Sequence, residues 1–153
     1  MILNEPPDLQ EVERRMEPGV ITRKGFLGSD GRSLSDILDA DEAAVHSRGL
    51  SHRRIASRLD ELTKAGRHGL GTEVDVEERY RIWVREWRGG MPCPWGHRGL
   101  YRKSITHLAD SETGKEMEWT ALSVHLIREH GFYGGKGNPY RVEPETVSEV
   151  LLP

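Results

Sequence analysis

The residues of this 153-residue chain best suited to chemistry are one cysteine and three histidines, namely Cys93, His97, His125 and His130. Three residues separate Cys93 from His97, and four separate His125 from His130. Zinc prefers thiolate and imidazole ligands in a tetrahedron, and one pair on a turn with one pair on a helix is a common way to supply them. We therefore predict a zinc site formed by these four residues.

The segment that carries the four candidate ligands is predicted to have a hairpin between the pairs and a helix under the second pair. This strand–strand–helix layout is similar in plan to that of the small classical zinc fingers. Three departures rule out assignment to that family. The second member of the first pair is His97 rather than cysteine, and the gap between the pairs is 27 residues rather than about a dozen. The spacing of His125 and His130 also places them about 140° apart on a helix, so we expect the helix end near Gly131 to loosen.

Other interpretations of these residues stay open at this point. Cys93 could be a small buried apolar residue, and His130 could simply favour a helix C-terminus. His107 is an alternative fourth ligand if His97 faces solvent. A hydrolytic site would need three ligands, a water molecule and a base such as Glu129 or Glu118, but no compact motif such as His-Glu-x-x-His is present. Because the chain has one cysteine and seven histidines, the presence of both residue types is almost no evidence for a nucleophilic cysteine–histidine pair.

A basic, tryptophan-bearing stretch precedes the first ligand pair. Residues 80–87 alternate with period two, which predicts a strand with Tyr80, Ile82 and Val84 facing the core. The candidate nucleic-acid or partner contacts lie on the opposite face and in the residues after it; they are Arg81, Trp83, Arg85, Trp87, Arg98, Arg102 and Lys103. Such a face could stack bases and bind phosphates. Alternatively, the tryptophans form a second apolar layer under a helix, with the arginines at its edge.

Charge is unevenly distributed along the chain. The net charge is −3, yet residues 46–103 hold 13 lysines and arginines against 7 carboxylates, whereas the remainder holds 9 against 18. Ordinary solvated faces would explain this asymmetry, and so would a basic binding surface between acidic ends.

The first half of the chain predicts a pair of amphipathic helices over residues 34–47 and 51–65, with Ser33 and Ser51 as N-caps. A helix-turn-helix that binds DNA through exposed Arg53, Arg54 and Arg58 is one interpretation, although two helices joined by a short turn occur in most folds that contain helices. The glycine-rich residues 134–138 lack a phosphate-binding pattern and predict a turn.

The remaining patterns predict strands over residues 72–76, 99–108 and 115–119, a helix from Thr120 to His130 and a short closing helix from Pro144. Segregated helices and hairpins favour an α+β fold with an antiparallel sheet. We expect one domain over residues 25–153, with a helical part at 33–68 and a hairpin-plus-helix part at 71–153. Residues 1–24 predict a poorly ordered arm, with a short helix near Leu9 to Met16.

No apolar run approaches the roughly 20 residues that cross a bilayer, the N-terminus lacks the features of a signal peptide, and a single cysteine forbids an internal disulfide. These observations favour a cytoplasmic, soluble protein. We expect a small binding or accessory protein, stabilised by zinc, that contacts nucleic acid or a ribonucleoprotein. The alternatives are a metal-dependent hydrolase and a structural module that binds a protein through an apolar patch containing Trp83, Trp87 or Trp95. The sequence leaves the oligomeric state open.

Overall fold

The structure, a computed structural model, describes residues 8–153. Its elements are α1 (Leu9–Arg15), α2 (Leu34–Ser47), α3 (His52–Arg67), β1 (Val74–Val76), β2 (Tyr80–Pro92), β3 (Leu100–Asp110), β4 (Glu116–Thr120), α4 (Ala121–His130) and α5 (Pro144–Thr146), which continues into a π-helical turn at Val147–Leu151. The four strands form one antiparallel sheet in sequence order. The predicted α+β fold, with N-terminal helices and a short closing helix, is confirmed.

The segment predicted as a poorly ordered arm falls into two parts. Residues 1–7 lie outside the described residues. Residues 8–24 contain α1, whose Asp8 side chain accepts a hydrogen bond from the Gln10 N–H and thereby caps the helix. Val12 and Met16 are fully buried, so α1 belongs to the core of the domain.

The inner face of the sheet packs against α3. Tyr80, Ile82 and Val84 are buried on it, as their alternation predicts. Gly66 of α3 lies directly over this face, where a Cβ atom would come within 2.5 Å of the Ile82 Cγ2. The close approach explains why a glycine occupies this position in the last turn of α3. The larger of two hydrophobic clusters forms between this face, α3 and the closing turn.

The β2–β3 hairpin is longer than the sequence predicts. Gly89 and Gly90 predict an end to the strand, but β2 continues to Pro92. The pairing shifts between Trp87 and Gly90, and then resumes from Gly90 opposite Arg102 to Pro92 opposite Leu100. Arg88 and Gly89 have no partner in the ladder, and Gly89 has a φ of +99°, which glycine adopts readily, so the chain forms a bulge here rather than a break. The extended hairpin carries the first ligand pair towards α4.

Helix α4 begins and ends where the sequence predicts. Thr120 and Ser123 form a capping box at its start. At its end, Gly131 has a φ of +64°, and the N–H groups of Gly131 and Phe132 donate to the carbonyls of Ile127 and Leu126 at 3.1 Å. The bond from the Gly131 N–H is that of an αL C-cap, which stops the helix directly after His130.

A second, smaller hydrophobic cluster lies on the other side of α4. It joins Leu122 and Leu126 to α1, α2 and the end of the hairpin, and its remaining buried members are Val12, Met16, Phe26, Leu34, Ile37, Cys93 and Phe132. The candidate metal ligands therefore lie where three parts of the chain meet.

The helix pair α2–α3 is confirmed, with Ser33 and Ser51 accepting N-cap hydrogen bonds. The expectation that Arg58 is exposed is wrong. Its side chain is 14% exposed and donates to the Leu151 carbonyl and to both carboxylate oxygens of Glu77. Arg58 thus ties α3 to the closing turn, and its charge is not free for DNA phosphates.

The glycine-rich turn is held against the segment that comes after α1. The Gly135 N–H donates to the Phe26 carbonyl at 2.9 Å, and a Cβ atom on Gly135 would lie 2.0 Å from the Leu27 carbonyl oxygen. Backbone contact this close requires glycine.

No helix among residues 8–153 is long and apolar enough to cross a membrane.

We predict that Ser104→Ala leaves the free energy of unfolding unchanged or raises it by up to about 1 kcal/mol, because the buried Ser104 hydroxyl has no hydrogen-bond partner among the described residues. Urea denaturation measures the change. The matched control, Ser123→Ala, removes a hydroxyl of the capping box and should lower stability by about 1 kcal/mol. A loss larger than that in Ser104→Ala would contradict the prediction.

We predict that Asp110→Asn destabilises the fold by about 2 kcal/mol at neutral pH, because Asp110 is buried, pairs with Arg79 and accepts bonds from Thr113. The hydrogen bonds from Arg79 hold the pKa of Asp110 well below its ordinary value. The contribution of the carboxylate is therefore present above pH of about 4 and is lost as the pH falls towards the folded-state pKa. Urea titrations at several pH values should show the difference from wild type shrinking below pH of about 4; a constant difference would contradict this.

Candidate metal centre

The first ligand pair lies on a tight turn at the tip of the β2–β3 hairpin. The Gly96 N–H donates to the Cys93 carbonyl at 2.9 Å, and Gly96 has a φ of +83°. The Arg15 guanidinium of α1 donates to the Pro94 carbonyl at 2.9 Å. The turn is thus closed internally and attached to α1, which fixes the direction from which Cys93 and His97 approach α4.

The structure brings all four predicted ligands together. One ligand atom from each of Cys93, His97, His125 and His130 lies within 4.8 Å of the other three. The Nε2 atom of His97 is 2.9 Å from Nε2 of His125 and 3.2 Å from Nε2 of His130, and the Cys93 Sγ is 3.5 Å from Nε2 of His130. Zinc bonds of ordinary length give tetrahedral edges of about 3.3 Å between nitrogens and about 3.5 Å between nitrogen and sulfur. These three contacts are close to the edges of such a tetrahedron, and the remaining ligand atoms lie within 4.8 Å of one another.

If these contacts were hydrogen bonds alone, the His97 Nε2 atom would be a shared acceptor. The His97 Nδ1 is 3.2 Å from the Arg98 carbonyl, to which only an N–H group can donate. The Nε2 atom of His97 then carries its single lone pair, and two other imidazole nitrogens lie within hydrogen-bond distance of it. One lone pair makes one good hydrogen bond. A cation at the centre would satisfy all the nitrogens and the sulfur at once.

Aromatic rings fix the orientation of two ligand imidazoles. Trp95 stacks on His130, with ring centroids 4.1 Å apart and planes 6° from parallel, and Tyr101 stacks on His125 at 4.2 Å and 27°. Groups that orient the ligands of a metal contribute to its affinity. No sequence pattern singled out Tyr101. It lies on β3 opposite Met91, so only the shifted hairpin register places it near α4.

Two histidines of the cluster, His125 and His130, are favoured in their neutral, ligating form. Burial lowers the pKa of His130 to about 4, and the neighbouring imidazoles contribute to this lowering. Burial and the proximity of His97 lower the pKa of His125. Burial also raises the pKa of the Cys93 thiol, so deprotonation of this sulfur would need the charge of a bound cation.

The spacing of His125 and His130 does not require a disturbed helix. Helix α4 stays regular to His130, its last residue, and the two ring centroids lie 5.3 Å apart. The predicted loosening before Gly131 is therefore wrong, because the αL C-cap at Gly131 places the end of the helix just beyond the second ligand. His107 lies outside the cluster, since it stacks on Trp83 and pairs with Glu116 and Glu118.

Four protein side chains surround the centre of the cluster. Cys93 is buried, His125 and His130 are half-buried and His97 is exposed. The cluster is thus closed by protein on the α4 side, and His97 covers its solvent side. A tetrahedral ion held by all four would have no position left for water.

The predicted basic and aromatic residues lie outside this cluster, along the hairpin. We call them the hairpin surface: Arg81, Trp83, Arg85, Trp87, Arg98, Arg102 and Lys103. Trp87 is 53% exposed, whereas Trp83 is half-buried. One side of Trp83 stacks on His107, and the Arg85 guanidinium lies 4.3 Å from its ring centroid. The tryptophans do not share one environment, and Trp87 offers the more accessible ring.

Two of the hairpin cations are partly neutralised within the chain. Arg81 lies 3.7 Å from Glu73 and 3.5 Å from Asp75, and Arg102 lies 3.3 Å from Glu86. These pairs are exposed and contribute little to stability. Arg85, Arg98 and Lys103 are exposed and make no ion pair within the described part of the chain.

A groove that the sequence patterns do not predict opens beside Trp87. It has a volume of about 570 Å³ and lies between the hairpin, α4, the segment after α1 and the glycine-rich turn. Its walls are mainly apolar and aromatic, and four cations line it: Arg23, Lys24, Arg102 and Lys103. Residues 21–26 and 132–140 carry no signal for such a groove, because only the docking of the glycine-rich turn on Phe26 brings them together.

Comparisons with known proteins identify no family for this chain. No protein-family model matches the sequence, and neither a search of curated proteins nor a search of solved structures finds a match.

Proposed function

We propose that the chain is a zinc-stabilised binding protein that contacts single-stranded nucleic acid through the hairpin surface. The observation that carries the proposal is the arrangement of the β2–β3 hairpin. Its tip contributes two ligands to the four-residue cluster, and its body presents cations without carboxylate partners among the described residues, beside the exposed Trp87. One hairpin thus joins a metal cluster to a basic, aromatic surface.

The chemistry of the ligand set favours zinc. One thiolate and three imidazoles suit a borderline-soft divalent ion that accepts tetrahedral geometry without preference from d-electrons. Four protein ligands are the mark of a structural site, whereas catalytic zinc sites keep one position for water. Glu118, a candidate base for a hydrolase, pairs with His107 outside the cluster. The geometry thus supports a structural ion better than a hydrolytic one.

The ion would act as a cross-link between the hairpin and α4. Cys93 and His97 lie at the hairpin tip, and His125 and His130 lie on the helix. The bulge at Gly89 interrupts the ladder on which the tip depends, so the tip is the part of the sheet with least support from strand pairing. Coordination would hold the tip in place and would fix the positions of Arg98, Arg102 and Lys103.

Charge and exposure support nucleic acid as the partner. Arg85, Arg98 and Lys103 face solvent without a carboxylate partner in residues 8–153, so contact with a phosphate would not break an ion pair described there. Trp87 offers an accessible ring to an unpaired base, and stacking on aromatic rings is how proteins bind single strands without reading their sequence. Duplex DNA would leave this ring unused.

The helix pair is less suited to binding DNA. Arg58 is committed to Glu77 and to the closing turn, which leaves Arg53 and Arg54 as the exposed cations of the first turn of α3. Substitution of Arg54 therefore serves both as a control for the hairpin surface and as a test of this alternative.

We predict that the protein purified without chelator contains one zinc per chain by elemental analysis. The variants Cys93→Ala and His130→Ala should each contain less than about a tenth of that amount, because three remaining ligands bind zinc far more weakly than four. His107→Ala is the matched control, because His107 is a partly buried histidine outside the cluster. This variant should retain its zinc.

The two hydrophobic clusters predict the consequences of metal loss. The larger cluster contains none of the four ligands, so the far-ultraviolet circular dichroism of Cys93→Ala should stay close to that of wild type. Amide exchange at residues 88–100 should become faster. An intact protein without zinc, or an equal zinc content in the His107→Ala and Cys93→Ala variants, would contradict the assignment.

We predict that the zinc-loaded protein binds a labelled single-stranded DNA 12-mer with an affinity that falls steeply with salt, because each phosphate contact releases counterions. About four contacts give a slope of log affinity against log salt of about −3. Arg85→Glu should weaken binding at least about tenfold at low salt, whereas Arg54→Glu should change it less than about twofold. Fluorescence anisotropy measures both.

If Arg54→Glu weakens DNA binding more than Arg85→Glu does, the nucleic acid binds to the helix pair and not to the hairpin surface. If the wild-type protein binds no DNA at low salt, the proposed nucleic-acid role of the protein is overturned. The assignment of the metal site is not affected by that result. In that case, turnover that a chelator abolishes would favour a hydrolase, and a stable dimer would favour a protein-binding module.

A further inference from the structure

The groove beside Trp87 is mainly apolar, and its only charged lining residues among those described are cations. We propose that it receives an unpaired nucleobase of the bound strand. This inference rests on the proposed function and deepens it, because it names the part of the nucleic acid that enters the protein.

The dimensions and walls of the groove fit a base. Its volume of about 570 Å³ lies within the range of roughly 300–1,000 Å³ that is usual for small-molecule sites. Trp87 stands at the hairpin side with 53% of its surface exposed, and the half-buried Tyr140 also lines the groove. Leu122, Leu126 and Phe132 are buried and form part of the lining. A flat aromatic base would replace water on this apolar surface.

Cations line the groove from two sides. Arg23 and Lys24 belong to the segment after α1, and Arg102 and Lys103 belong to β3. No aspartate or glutamate is among the described residues that line the groove. Such a lining is complementary to a phosphate on each side of an inserted base. It would be a poor match for a peptide carrying both signs of charge, and it repels cationic partners.

Most polar side chains of the lining are already engaged in local structure; the exception is Ser104, whose buried hydroxyl has no hydrogen-bond partner among the described residues. The Thr22 hydroxyl accepts a bond from the Gly25 N–H, and Thr120 and Ser123 form the capping box of α4. The Asn138 amide donates to the Phe26 carbonyl and accepts from the Tyr140 N–H. With these groups occupied, the groove would hold a base mainly by stacking, and the Ser104 hydroxyl would be the one unpartnered buried side-chain group of the described residues beside it, so the groove would discriminate little between the four bases.

The groove and the metal cluster share a wall. Met91 and Pro92 line the groove directly before Cys93, and Leu122 and Leu126 line it from α4, the helix that carries His125. The cross-link that fixes the hairpin tip therefore fixes the width of the groove as well. Removal of the metal should weaken base insertion even though no ligand of the metal touches the base.

The test measures anisotropy of the zinc-loaded full chain with three labelled DNA probes: a mixed-sequence 12-mer single strand, the same strand with three abasic sites, and the corresponding duplex. We expect the intact strand to bind at least about tenfold more tightly than the abasic strand or the duplex. Trp87→Ala should lower the affinity for the intact strand about tenfold and the affinity for the abasic strand less than about twofold. Leu100→Ala, which truncates another exposed apolar residue of the hairpin outside the groove, is the matched control.

The outcomes separate this inference from the function on which it rests. If the protein binds none of the three probes, the proposed function fails and base insertion fails with it. If the three probes bind equally and Trp87→Ala behaves like Leu100→Ala, the nucleic-acid function stands and base insertion is overturned. A dimer that Trp87→Ala dissolves, with no binding of any probe, would assign the groove to a second copy of the chain and would also overturn it.

Discussion

Three imidazole nitrogens and a thiol sulfur converge in this protein, each within 4.8 Å of the others. The Nε2 atom of His97 has two nitrogen neighbours within 3.2 Å and one lone pair to offer them, since its Nδ1 faces the Arg98 carbonyl. A cation removes this conflict. A bound cation would fix the position of the hairpin tip and of the arginine and lysine side chains that follow it.

The four candidate ligands lie outside the larger hydrophobic cluster, so a metal bound there would affect the hairpin more than the fold as a whole. The larger hydrophobic cluster joins α3 to the inner face of the sheet and to the closing turn without any of the four ligands. The smaller cluster includes Cys93 and packs α1 and α2 against α4. A metal at the junction would therefore control the geometry of the hairpin and of the groove while the larger cluster keeps the chain folded. Such a division would suit a binding surface that must be held rigid at one edge of a small domain.

Much of the fold could be predicted from the sequence because its signals are local. Ser33, Ser51 and Thr120 are N-cap residues followed by apolar residues at helical spacing, and Gly131 ends α4 where positive φ is required. The interpretation of Gly89 and Gly90 failed, because a bulge and a strand end use the same residues and differ only in whether a partner strand continues. The exposure predicted for Arg58 was wrong because its partner Glu77 is 19 residues away. The helix periodicity of α3 contains no information about that partner.

For the candidate site, too, the sequence predicted what depends on residue types and spacing but not what depends on contacts between distant segments. The residue types and spacings of Cys93, His97, His125 and His130 indicated a common metal, and the structure brings them together. The rings that support them could not be foreseen, since Tyr101 reaches His125 only through the shifted register of the hairpin. The groove was equally hidden, because it arises where segments far apart in sequence dock on one another. Convergence of ligands can be inferred from their chemistry, whereas the shape of a cavity cannot.

The central claim is that one zinc ion binds to one sulfur and three nitrogens of this chain. Zinc X-ray absorption spectroscopy of the purified protein tests it most directly, because the fine structure counts the ligand atoms and measures their distances. We expect one sulfur at about 2.3 Å and three nitrogens at about 2.0 Å. A coordination sphere without sulfur, or one that contains water oxygen in place of an imidazole nitrogen, would contradict the claim.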